Sequence, residues 1–197
     1  MPIFVARQHM RHRTASINEM SARYSVVPDT YFEPMEYREQ SSTNKQGSEG
    51  PMVLDNILQS SLAKHNETAF DLYNQLLAAG CSRELARCHL PQSTYTEFYW
   101  KVNLHNLMHY LQLRMEPGAQ QEIREYANEI YNLVKPLAPI TMEAFMDFRV
   151  DALQLTGPEI RAIQTKTTLD SPGEQREFVA KLARLGLGYI LSPDETS

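Results

Sequence analysis

Between residues 52 and 79, Val53, Leu54, Ile57, Leu58, Leu62, Phe70, Tyr73, Leu76 and Leu77 recur at helical spacing. That pattern predicts one long amphipathic helix, and Gly80 behind it suits the left-handed residue that ends many helices. Such a helix must bury its apolar stripe, so helix packing is expected to supply most of the core. Ser82 is placed to cap a short helix over 83–89, stopped before Pro91. Prolines 117, 136 and 139 then divide the chain into helices at about 103–114, 118–135 and 140–149. Gly157-Pro158 opens another, and Pro172 precedes one at about 173–185. Near the start, Pro2 fits a first helical position, and Ile3, Phe4, Arg7, Met10 and Arg11 follow helical spacing, although Ile3–Ala6 also admits a strand. Residues 16–25 and 26–32 read as extended segments broken at Pro28-Asp29, and the aromatic, β-branched run 94–102 reads as a strand. The polar, Gly/Ser-rich stretch 37–51 reads as a mobile loop. The expected class is α+β, helix-rich, with an antiparallel sheet.

The chain has 197 residues and a formal net charge of −5, a size that suits one main domain. The acidic balance argues against a broad nucleic-acid surface. Cys81 and Cys88 form neither a CxxC pair nor a disulfide framework, which points to a reducing, cytoplasmic setting. Their expected role is as small, mostly buried side chains. No apolar run reaches the roughly 20 residues of a membrane span, and residues 1–6 lack a signal peptide's basic start and long apolar stretch.

Against this acidic background, residues 11–24 concentrate Arg11, His12, Arg13, Ser16, Asn18, Glu19, Ser21 and Arg23. Planar guanidinium forks suit bidentate recognition of phosphate or carboxylate, and hydroxyls add short-range donors. A glutamate among arginines can orient a guanidinium or accept from a ribose or ring N–H. The alternative for the run is a solvated, charge-paired loop. Ser21 sits in no GxSxG elbow and has no assignable base, so it is expected to donate to a phosphate and not to act as a nucleophile.

Helix 103–114 places Asn103, Asn106, Tyr110 and Arg114 on one polar stripe, with His105 and His109 on another side. Leu104, Leu107, Met108, Leu111 and Leu113 wrap much of the rest, so the helix is expected to be buried, its stripe satisfied by a cofactor or by a structural network. The i, i+4 histidines resemble half of a zinc site, but the catalytic pattern needs Glu after the first His and Asn106 stands there. No metal is expected. Arg87, read alone, is expected to pair with Glu84 three residues earlier.

The run 11–21 matches in full an Arg-His-Arg, seven residues, Ser signature, and so resembles the flavin-dependent thymidylate synthases. Two further blocks resemble that family in the same order: 90–114, from Leu90-Pro91-Gln92-Ser93 to Asn103-Leu104-His105 and Arg114, and 119–127, Ala-Gln-Gln-Glu-Ile-Arg-Glu-Tyr-Ala. The resemblance covers about residues 2–150 and implies a synthase domain over 1–150, shortened at its N-terminus, with 151–197 as a helical extension. It implies methylation of dUMP to dTMP with methylenetetrahydrofolate as carbon donor and FADH2 regenerated by NADPH, in a homotetramer with shared active sites. The rival is an inactive, truncated nucleotide- or flavin-binding remnant. Carried over by position, FAD would meet Arg11, His12, Arg13, Glu19, Asn103, Leu104, His105 and His109. The nucleotide dUMP would meet Gln8, His9, Met10, Arg11, Glu19, Met20, Ser21, Ala22, Arg23 and Arg87. Arg114 would be the catalytic residue, set against the uracil ring. Gly118 stands where the family usually has histidine in a His-Ala-Gln run, which weakens one flavin contact.

Overall fold

A computed structural model describes residues 1–42 and 47–188. The end of the expected extension, 189–197, and residues 43–46 of the expected loop lie outside the described residues. The chain forms two compact units, Met1–Pro139 and Ile140–Ser197. The class is α+β: helices dominate, and the strands form two small antiparallel pairs.

The first unit begins with α1 (Ile3–His9) and β1 (Ser16–Glu19), followed by β2 (Tyr37–Gln40) and β3 (Ser48–Met52). Next come the long α2 (Asn56–Ala78), the single turn α3 (Arg83–Ala86) with its 3-10 continuation Arg87–His89, and β4 (Phe98–Lys101). Helices α4 (Leu104–Arg114) and α5 (Gln121–Val134) complete it. The long helix starts later than its apolar pattern, because Asp55 caps it, accepting from Leu58 N at 2.7 Å. Its end follows the expected chemistry. Gly80, at φ +86, donates to Leu77 O, and Cys81 donates to Leu76 O, which closes a Schellman motif.

The stretch 37–51 is not a plain loop. Tyr37–Gln40 pairs with Ser48–Met52 around an irregularity at Arg38/Glu39. Its strands lack an apolar alternation because β3 is exposed along its whole length, so no core face marked it in the sequence. Residues 26–32 form no strand beyond an isolated bridge from Tyr31 to Thr94.

Phe70 and Tyr73 of α2 form a core with Val27 and Ala86, flanked by Tyr31, Leu76, Leu77 and Leu90. Tyr73 is fully buried and its hydroxyl accepts from Val27 N at 3.0 Å, so the large ring is buried without orphaning its polar tip. A second cluster joins α1, β4 and α4. The His9 ring lies 4.3 Å from Trp100 and 4.8 Å from Tyr110, centroid to centroid.

The second unit holds α6 (Pro139–Phe145), a π-turn Met146–Val150, α7 (Gly157–Thr165) and α8 (Pro172–Arg184). Ala162, Phe178 and Leu182 form its core. Thr156 and Glu159 close a capping box at the start of α7. Lys181 Nζ then reaches both Glu159 oxygens, at 2.7 and 2.9 Å, so this buried carboxylate is paired.

Candidate functional site

Two short elements pin the arginine-rich run. α1 buries Val5, Ala6 and His9. β1 then pairs with β4 from Ser16↔Lys101 to Glu19↔Phe98, and Met20 N extends the pairing by donating to Glu97 O at 2.8 Å. Residues 11–15 therefore cross between two held ends, with Arg11 and Arg13 exposed and His12 half-buried. Glu19, exposed on β1, accepts from the Thr96 hydroxyl at 2.6 Å. Met10 and Met20 are half-buried.

Arg114, at the end of α4, reaches back across this crossing. Its Nε donates to His12 Nε2 at 3.0 Å, and one Nη donates to the Gln8 carbonyl at 3.4 Å. A guanidinium only donates, so His12 must accept at Nε2 and carry its proton on Nδ1. Burial, reinforced by the Arg114 and His109 charges, holds the His12 pKa down at about 4. His9 is held at about 4 by burial first, then by His12, Arg114 and the amino terminus. His9 Nδ1 shares a 3.0 Å hydrogen bond with the Tyr110 hydroxyl, whose pKa burial raises against the opposing pull of Arg114. The fold thus gathers Gln8, His9, His12, Tyr110 and Arg114, and the His109 ring lies 6.2 Å from that of His12.

Residues 21–25 form a turn tied to α3. Arg23 N donates to Ser21 Oγ at 3.3 Å. The Arg23 guanidinium grips Glu84 through Nη2 at 2.9 Å and Nε at 3.1 Å. Arg83 donates to Tyr24 O at 3.1 Å, and Ala22 packs against the α2 core. The expected Arg87–Glu84 pair does not form. Glu84 takes Arg23 instead, 61 residues away in sequence, because the folded turn lies across α3. Among the described residues no carboxylate pairs with Arg11, Arg13 or Arg87, and all three are exposed.

Helix α4 is not buried all round. Leu107, Tyr110 and Leu111 are buried, but Leu104 and Leu113 are 37% and 47% exposed. Only the stripe that carries Leu107, Tyr110 and Leu111 is covered, which leaves His105 and His109 exposed. Asn103 is the helix cap, its side chain accepting from Asn106 N at 2.9 Å. Cys88 is exposed, contrary to the burial expected of it, and Cys81 is half-buried. Cys88 lies on the open side of the α3 turn, with its thiol near Glu84 O at 3.5 Å.

Three residues that the sequence reading passed over join the site from behind. The Gln8 side-chain amide donates to Gln120 Oε1. Gln120 Nε2 donates to Glu122 at 2.8 Å, and Arg38 Nη2 pairs with the other Glu122 oxygen at 2.6 Å. The only trace of this in the sequence was the block 119–127. Cavities of about 520 and 600 Å³ flank the network, and neither is lined by Arg11, Arg13, Ser21, Arg23, Arg87 or Arg114. Of these, Arg11, Arg13, Arg23 and Arg87 are exposed, while Ser21 and Arg114 are half-buried.

The chain is 48% identical over 188 residues to the flavin-dependent thymidylate synthase of Dictyostelium discoideum, covering 92% of this chain and 61% of that protein. It is 44% identical over 187 residues to the enzyme of the same name from Thermus thermophilus, covering 95% and 67%. Among solved structures it is similar to a UMP/dUMP methylase, PolB from Streptomyces cacaoi, bound with 5-Br dUMP. There the TM-score is 0.67 at 36% identity, covering 76% of this chain and 68% of that one. The chain therefore spans about three fifths of the length of the Dictyostelium relative. The family model described as thymidylate synthase complementing protein, Thy1, matches residues 1–140, the stretch that carries the arginine-rich crossing, the α3 turn and α4, and this chain belongs to that family.

Proposed function

We propose that this chain binds dUMP and FAD and carries out the reductive methylation of dUMP to dTMP, with methylenetetrahydrofolate as carbon donor and NADPH as reductant. One observation carries the reading. In a chain of net charge −5, three exposed arginines, Arg11, Arg13 and Arg87, have no carboxylate partner among the described residues. Guanidinium forks free of carboxylates suit a phosphate ester. The relatives' names and the nucleotide analogue bound to PolB support the same chemistry.

The donor set also fits FAD. Arg11 and Arg13 would hold its diphosphate, His12, His105 and His109 would present rings and N–H groups, and Glu19, Asn103 and Leu104 would line the rest. When bound, FAD supplies the reducing equivalents that NADPH delivers. The dUMP phosphate and sugar would rest on Gln8, His9, Met10, Arg11, Glu19, Met20, Ser21, Ala22, Arg23 and Arg87. Arg114 has one donor committed to His12 and another to the Gln8 carbonyl, which leaves the rest of its fork for the ring. A fixed cation there stabilises the N3-deprotonated uracil and makes C5 a better nucleophile. The chain is expected to work as a homotetramer with shared sites, residues 151–197 forming a helical extension. The test is the visible spectrum of the purified chain with FAD, together with release of tritium from 5-tritiated dUMP when folate and NADPH are added. A flavin band with tritium release supports the reading; neither flavin nor dUMP binding would overturn it.

A further inference from the structure

We infer that Arg38, Glu122 and Gln120 form a relay that fixes which end of the Gln8 amide is offered to the nucleotide. A glutamine amide by itself turns over readily, since its two ends differ only in donor and acceptor character. Here one charge breaks that symmetry. Glu122 is 8% exposed. One of its oxygens takes Arg38 Nη2 at 2.6 Å and the other takes Gln120 Nε2 at 2.8 Å. A carboxylate only accepts, so the NH2 end of Gln120 must face it. The Gln120 carbonyl then points away, toward Gln8, and a carbonyl also only accepts. Gln8 must therefore turn its NH2 toward Gln120, as found. No described residue donates to Gln8 Oε1, which stays available as an acceptor. Arg38 is itself held, its Nε donating to Ser48 Oγ at 3.0 Å on the neighbouring strand β3. The hairpin thus sets the polarity of a side chain on α1. Gln120 and Glu122 act here as positioning residues.

An acceptor at Gln8 selects a ligand that brings a donor. On a uridine nucleotide that donor is either the imide N3–H or a sugar hydroxyl. This inference rests on dUMP being the ligand. The change Glu122→Gln gives a specific reversal. Arg38 would draw the carbonyl end of the new amide, leaving its NH2 toward Gln120. Gln120 would then flip, and so would Gln8, presenting N–H groups where a carbonyl had been.

The experiment is calorimetric binding of dUMP, N3-methyl-dUMP and 2′,3′-dideoxy-UMP to the parental chain and to Glu122→Gln, with melting curves for both. The parental chain is expected to favour dUMP over one of the two analogues by about tenfold, the value of one lost hydrogen bond of about 1.4 kcal/mol. Which analogue fails identifies the donor. Glu122→Gln is expected to bind dUMP about tenfold more weakly while losing most of that discrimination. If that variant does not fold, Gln120→Met, which cuts the relay at a half-buried position, should also abolish the discrimination. A folded variant that discriminates as the parent does, or a parent that binds all three nucleotides equally, would overturn the relay. A parent that binds none of them would instead sink the dUMP reading itself.

Discussion

Arg114 shows how much of a site one side chain can organise. Its contact with His12 fixes that ring's tautomer, and its contact with the Gln8 carbonyl ties α4 to α1. A lysine there would keep the charge but lose the planar fork. Arg114→Lys is therefore expected to lower turnover at least about a hundredfold, some 2.7 kcal/mol of barrier, while dUMP affinity changes less than about tenfold. Steady-state kinetics beside calorimetry checks this, and near-parental turnover would make the arginine structural. No carboxylate among the described residues pairs with Arg87, so Arg87→Ala should weaken dUMP binding by about 1.5–3 kcal/mol, the range for a charged hydrogen bond. An unchanged isotherm would remove it from the site. His9 and His12 make a pH prediction. Both are held near 4 in the fold against an ordinary 6.5. Between those values the unfolded chain binds more protons, so stability is complete above about 6.5 and falls as the pH drops toward 4. Glu122 and Glu159 are the opposite case in charge. Burial pushes each carboxyl up, but the Arg38 or Lys181 contact and the other hydrogen bonds outweigh it, holding each below 4.5. Their loss begins only at lower pH. Melting temperatures taken from about pH 7 to 4.5 should fall for the parent and fall less for His12→Asn.

At the scale of elements, Gly80 is the cleanest test of why α2 ends where it does. Its φ of +86 lies in the left-handed region, and an added Cβ would meet nothing within 4 Å. The cost of Gly80→Ala is then backbone strain alone, about 1–2 kcal/mol, read as a fall in melting temperature of about 2–4 °C per kcal/mol. Helix ends such as this were legible because a glycine, a proline or a polar cap marks them locally. The hairpin Tyr37–Gln40 with Ser48–Met52 was not, because β3 is exposed throughout and neither strand carries an apolar alternation. The same division runs through the site. The Arg11–Arg23 cluster stands out as positive charge in an acidic chain. Its wiring does not, since Arg23 chooses Glu84 and Arg38 chooses Glu122 across 61 and 84 residues. Local spacing favoured Arg87 for Glu84, and only the tertiary placement of the turn reverses that choice. Burial on α4 failed for a related reason: leucine content sets how apolar a helix is, while its neighbours decide which side is covered.

At the scale of the whole molecule, Arg11, Arg13, Arg23 and Arg87 stand exposed, and so do large apolar side chains on α2 and β4. Ile57 is 81% exposed, Leu58 45% and Leu72 43% on α2, and Tyr99 is 80% exposed on β4. Only Phe70 and Tyr73 of the 23 residues in α2 are buried. Exposed apolar surface on this scale favours association, and closed assemblies of identical chains are the usual outcome. A crossing that offers Arg11 and Arg13 to solvent gains a second wall if the exposed face of α4 from another copy comes to lie over it. Sedimentation across a concentration series is therefore expected to show reversible self-association, with FAD affinity rising as the assembly forms. Ile57→Asp should weaken the assembly at least about tenfold, because a charge placed in an apolar contact costs more than about 1.4 kcal/mol. Its flavin binding should fall in parallel although the substitution touches no ligand. A chain that sediments as a monomer at micromolar concentration while holding flavin would show that one copy completes the site alone.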